Sequence, residues 1–104
     1  MADRPPNPDE SIELRRLRRR IDAIDRQLVA LMSERADFAV QAGRAKASAG
    51  RREIRDAARE AEVMENVSEA NGGPLPDEDL LAIWRRLMRA TRALEARDRE
   101  QGDE

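Results

Sequence analysis

Apolar residues at Leu14, Leu17, Ile21, Ile24, Leu28 and Leu31 alternate spacings of three and four, and the rhythm resumes at Phe38, Ala42 and Ala45. That period lays one apolar stripe along a helix. It predicts a single helix over about residues 11 to 47, which "SAGRRE", Ser48 to Glu53, brings to an end. At 1.5 Å per residue such a helix spans roughly 55 Å. A compact domain of this size has a radius of gyration of only ~13 Å. The remainder of a 104-residue chain offers too little surface to cover that stripe. A second copy packed around the first is the expected remedy, so the chain reads as an intertwined homodimer.

Composition agrees with helices. Charged residues make up 40% and aromatics 2%, a balance that suits helices rich in Ala, Leu, Glu and Arg and disfavours strands. The expected fold is all-α, with three helices per chain, one long and two shorter. A second helix starts near Asp56, whose side chain can cap the free N–H groups, and runs through Ala61, Met64 and Val67 until "NGGPLP" ends it. Asp77, Glu78 and Asp79 place negative charge at the positive end of a third helix, whose seam reads Leu80, Trp84, Leu87, Thr91, Leu94. Residues 1–10, with three prolines and no apolar period, read as a disordered lead-in. From about Arg97 the chain reads as solvated fraying. One domain over 11–97 followed by a flexible tail, 98–104, is the resulting expectation.

The chain has no cysteine, histidine or tyrosine, which excludes disulfides, cysteine nucleophiles, His-based metal sites and His general bases. Chemistry must run on Arg, Lys, carboxylates and hydroxyls, with no cofactor or metal expected. The start "MADRPPNPDES" lacks the apolar run of a secretory signal, and absent cysteines suit a reducing compartment. A soluble cytoplasmic protein is expected. No apolar stretch approaches the ~20 residues a bilayer span needs. A net charge of -2 gives no global pull toward nucleic acid or anionic lipid. The arginines of "LRRLRRR", Leu14 to Arg20, cover much of the helix circumference and read as a solvated face.

Several polar residues break the apolar seams. Arg35 occupies the next seam position after Leu31, and a buried guanidinium is costly unless something anionic meets it. Lys46, the only lysine among 20 basic residues, follows eleven positions later and returns to within ~20° of the same face. Between them Ala39, Ala42 and Gly43 remove bulk, and the glycine costs ~1 kcal/mol in a helix interior. Its small size makes room either for a ligand or for a closely packed helix. On the third helix Thr91 and Glu95 bring a hydroxyl and a carboxyl onto the seam, and "IRDAARE" sets Asp56, Arg59 and Glu60 within one turn of a helix N-terminus. Singly, each has an ordinary explanation as a snorkelling, salt-bridged or capping residue. Together they describe a cationic pocket with carboxyls and a hydroxyl, suited to a small dianion.

The segments "LRRRIDAIDRQLVALMSERADFAVQAGRAK", "IRDAARE" and "TRALE" resemble the all-helical bacterial class of chorismate mutase over about Leu14 to Leu94. The resemblance implies a Claisen rearrangement of chorismate to prephenate in aromatic amino-acid synthesis, without a covalent enzyme intermediate. Such a step needs the substrate held in its folded conformer and negative charge stabilised on the ether oxygen. By resemblance, Arg35 and Arg59 would grip the two carboxylates and Arg18 would reach in from the other protomer. Lys46 would donate to the ether oxygen. Glu60 and the backbone near Asp56 would hold the ring hydroxyl, and Thr91 would touch a carboxylate. Spacing supports the role of Arg18 independently. It lies 17 residues from Arg35, about 25 Å along one helix, too far to clamp one small molecule from the same chain.

Two positions depart from the familiar pattern, where serine and glutamine often stand in place of Thr91 and Glu95. The first keeps the hydroxyl. The second exchanges a permanent donor for a carboxyl that donates only when protonated. The loop "ASAGRRE" is one residue longer than in that pattern, and its Arg51 and Arg52 read either as part of a mobile lid or as solvated. Three alternatives stay open. A lyase removing pyruvate from isochorismate would use a similar pocket. A regulatory role with the first enzyme of the shikimate pathway, or a non-catalytic helical dimerisation or nucleic-acid module built on "LRRLRRR", would use the helices differently.

Overall fold

The computed structural model describes residues 11–102. The expected lead-in over residues 1–10 lies outside the described residues, as do the last two positions of the expected tail. The described residues form three helices and no strand: α1 over Ile12–Ser48, α2 over Ala57–Ala70 and α3 over Asp77–Gly102. No described helix is long and apolar enough to cross a membrane. The chain divides into two compact units, residues 1–35 and 36–104.

The first unit is the leading stretch of α1. Ser11 starts it, its Oγ accepting from the Leu14 N–H at 3.0 Å, and Glu13 in the first turn receives the Arg16 guanidinium at 2.8 Å. A hydroxyl cap and an acidic first turn both satisfy the positive helix end. Within this unit the apolar stripe stays in water: Ile21 is 56% exposed, Ile24 53%, Leu28 50% and Leu31 60%. Full burial of one such side chain is worth roughly 1.5–3 kcal/mol. With about half of each surface wet, stabilisation on the order of 4 kcal/mol over these residues is unrealised in the single chain.

The second unit holds the rest of α1 with α2 and α3. α1 ends at Gly50, whose positive φ of 86° is the left-handed conformation glycine adopts without strain. The Gly50 N–H donates to the Ala47 carbonyl at 3.0 Å and the Arg51 N–H to the Lys46 carbonyl at 2.8 Å. These are the two bonds of a Schellman cap. The Asp56 cap forms as read from the sequence, its Oδ1 accepting from the Arg59 N–H at 3.0 Å. At the other end of α2 the Asn71 side chain reaches the Leu75 carbonyl (3.0 Å) and Asp77 (3.1 Å), while Ser68 donates to Asp77 at 2.5 Å. Those two donors hold the Asp77 carboxyl below its ordinary range and fix the start of α3. The packed centre is small: Val63 on α2, and Met88 and Thr91 on α3, are buried, flanked by half-buried Met64, Val67, Trp84 and Leu87.

One boundary differs. α3 does not fray from Arg97 but runs on to Gly102. The "EARDREQ" stretch carries no apolar period, yet most of it is good helix former, and long-range polar contacts hold it. Asp98 accepts a two-pronged contact from Arg44 on α1, at 3.0 Å from Nε and 2.6 Å from Nη2. Arg99 donates to two backbone carbonyls, those of Gly43 and Arg52.

Candidate active site

Lys46 sits in the last turn of α1, half-buried, on backbone fixed by the glycine cap just described. From α3, Glu95 comes in against Gly43, which is buried. A Cβ built on Gly43 would lie 3.4 Å from Glu95 Oε2 and 3.5 Å from its carboxyl carbon. Of the two occupants expected for the space beside this glycine, a closely packed helix is the one present, and the group it presents is a carboxyl. Glu95 Oε2 is buried and accepts no hydrogen bond. Burial raises the Glu95 pKa above its ordinary value. Lys46, and then Arg99 and Arg92, oppose that rise, while Glu60 reinforces it. Desolvation disfavours the anion and the cations favour it; desolvation prevails here.

The start of α2 supplies the next groups. Asp56 is held below the ordinary carboxylate range, first by the Arg59 backbone N–H, with burial opposing it and Arg51 and Lys46 adding to the lowering. Its Oδ2 receives Arg51 at 3.2 Å, while most of the Arg51 side chain stays in solvent. Glu60 is half-buried between Arg55, at 3.4 Å, and Arg92 of α3, which donates to its Oε2. Arg59 is turned outward and pairs with Glu62. Arg59, expected to face a common pocket with Asp56 and Glu60, is exposed and engaged by Glu62 one turn on, whereas Asp56 and Glu60 are half-buried. Thr91 is buried, but its hydroxyl donates to the Leu87 carbonyl of its own helix at 2.8 Å. Arg35, half-buried, and Arg18, exposed, belong to the first unit.

Arg92 and Arg99 were not picked out by seam reading, which looks for polar residues where apolar ones belong. A signal for them exists. Arg92, Glu95 and Arg99 follow spacings of three and four and so share one face of α3. An open groove of about 520 Å³ runs beside Glu95 and Arg99, lined also by Val40, Gly43, Ala47 and Arg52. Glu95 is the one sequence-predicted site residue in its lining, which includes neither Lys46 nor Asp56 nor Glu60. Of the charged groups that act on Glu95, only Arg99 lines that groove; Lys46, Glu60 and Arg92 do not.

The arrangement brings Lys46, Arg92 and Arg99 within electrostatic reach of a carboxyl that holds its proton more readily than usual, in a chain with no cysteine or histidine. Residues 17–96 match the family model of chorismate mutase type II. The chain is 36% identical over 91 residues to the bifunctional chorismate mutase/prephenate dehydratase of Stutzerimonas stutzeri, covering 83% of this chain and 25% of that protein. It is 37% identical over 87 residues to the protein of the same name from Aquifex aeolicus, covering 80% and 24%. This chain belongs to the chorismate mutase type II family. It spans about a quarter of the length of the curated relatives it matches.

Proposed function

We propose that this chain is a chorismate mutase, converting chorismate to prephenate in the route to phenylalanine and tyrosine, and that it works in the cytoplasm as an intertwined homodimer. The observation that carries the reading is the Glu95 carboxyl of α3 lying against Gly43 of α1, within electrostatic reach of Lys46, in a chain of this family. The rearrangement breaks one C–O bond as one C–C bond forms, and no proton need change hands. Catalysis then consists of holding a reactive conformer and meeting the charge that gathers on the ether oxygen.

Lys46 suits that oxygen because a compact ammonium with rotatable donors can aim at one atom, whereas a planar guanidinium fork matches carboxylates. Glu95 would be the second donor, in its protonated form. Arg35 and Arg59 would hold the carboxylates, which requires Arg59 to leave Glu62, an exposed partner that releases it at little cost. Glu60 and the Asp56 cap would take the ring hydroxyl. Thr91 would reach a carboxylate only after turning its hydroxyl away from Leu87. Arg18 would come from the second copy. The uncovered stripe of the first unit supports such pairing, since a copy laid along it would remove Ile21, Ile24, Leu28 and Leu31 from water.

The test is direct. Purified protein is expected to consume chorismate with prephenate as product and to sediment as a dimer. Release of pyruvate from isochorismate with chorismate untouched would replace the reading by the lyase alternative. No turnover of either substrate by a well-folded dimer would leave the non-catalytic helical module.

A further inference from the structure

Arg99 lies beyond the family match, which ends at residue 96, but its contacts reach back into it. This side chain is half-buried near the end of α3. Its Nη2 lies 3.3 Å from the Gly43 carbonyl on α1, and its Nη1 donates to the Arg52 carbonyl in the connection between α1 and α2. One guanidinium thus bridges three parts of the second unit. Both acceptors matter for the site. Gly43 is the residue against which the Glu95 carboxyl lies. Arg52 belongs to the short stretch that leads from the Lys46 turn to the Asp56 cap. A fork that donates along two directions suits this task, and a lysine, with one nitrogen, cannot reproduce both bonds in the same geometry.

We propose that Arg99 is a positioning residue of the active site, one that pins the Gly43 turn and the 49–56 connection against α3 and so sets where Glu95 stands relative to Lys46. The inference rests on the mutase reading for its kinetic consequences, while the pinning itself is a property of the fold. Arg99 also contributes positive charge beside Glu95. The charged groups that act on that carboxyl are Lys46 from α1, Glu60 from α2, and Arg92 and Arg99 from α3. Removing Arg99 takes away one of the three cations favouring the anion, so the Glu95 proton is held to higher pH. The effect runs against ordinary damage, which would lower activity everywhere without moving a pH limb upward.

The experiment compares the full chain with Arg99→Gln and Arg99→Lys. Amide hydrogen exchange over residues 49–56 is expected to quicken in Arg99→Gln, with exchange across α2 unchanged. That readout needs no substrate. For turnover, KM is expected to rise about tenfold in Arg99→Gln, the size of one lost charge-assisted hydrogen bond, and the alkaline limb to move upward. Arg99→Lys should return the limb toward its original place, because the charge is back, while keeping the raised KM. Unchanged exchange in the connection of Arg99→Gln overturns the pinning. Faster exchange with KM and pH limb unmoved overturns the positioning role. If the unsubstituted chain does not turn over chorismate, the mutase reading fails by itself, and the exchange comparison still decides whether Arg99 pins the connection.

Discussion

The two units of this chain solve the problem of few apolar residues in opposite ways. The first is a capped stretch of helix with its apolar stripe in water. Among its described residues the second buries only Val63, Met88 and Thr91 with Gly43, yet it is tied by polar contacts between distant positions: Arg44 to Asp98, Arg92 to Glu60, Arg99 to Gly43 and Arg52. The contrast separates two duties. A stripe of Leu and Ile is undemanding about geometry and suits association, whereas a set of directed charges is demanding and suits recognition of one small molecule.

Breaking the second unit's chemistry is expected to have the largest effect. Lys46→Ala should lower turnover by about 10²–10³ while leaving the sedimentation of the protein as it was. A variant that kept near-full turnover would remove Lys46 from the mechanism. Next comes the stripe: Ile24→Asp places a charge where a second copy would lie, and self-association is expected to weaken by at least about 100-fold. Activity should fall with it, because Arg18 would no longer be delivered. Full activity in a demonstrated monomer would break the division of duties drawn above.

Glu95→Gln tests the carboxyl more finely. The Glu95 pKa is raised in the folded protein, so the folded state binds the proton more tightly than the unfolded chain does. Between the ordinary value of 4.5 and the raised one, stability therefore falls as pH rises, and it stays lower above that window. Glutamine carries no such penalty. The variant should melt higher than the parent at neutral pH, and its activity profile should lose the decline expected as Glu95 ionises. A parent profile already flat from mildly acid to mildly alkaline pH would count against Glu95 as a donor. The smallest effect belongs to Gly43→Ala. Its Cβ would meet Glu95 at an ordinary contact distance, so the helix should gain up to ~1 kcal/mol, read as a rise in melting temperature. Gly43→Val, by contrast, should displace the carboxyl and lower turnover.

Much of this was legible in the sequence because it depends on neighbours along the chain. The period of Leu14 to Leu31 marks α1, "SAGRRE" its end, Asp56 the start of α2 and the acidic triplet at Asp77 the start of α3. Gly43 and Glu95 stood out since each is wrong for its seam position. What could not be read depends on residues far apart. Arg44 and Asp98 are separated by 54 positions, and nothing in "EARDREQ" by itself says that Arg99 will find the carbonyls of Gly43 and Arg52. Arg59 is the opposite case: Glu62, three residues on, is a competing local partner visible in the sequence itself.

The glycine cap after Lys46 and the aspartate cap before Arg59 have a joint consequence for how such a chain can diverge. Each anchors its own helix end through bonds to immediate neighbours, and the stretch strung between them is held at one further point, the Arg52 carbonyl, by Arg99. A descendant could gain or lose a residue there with both helix ends kept, provided some carbonyl of the stretch still met that guanidinium.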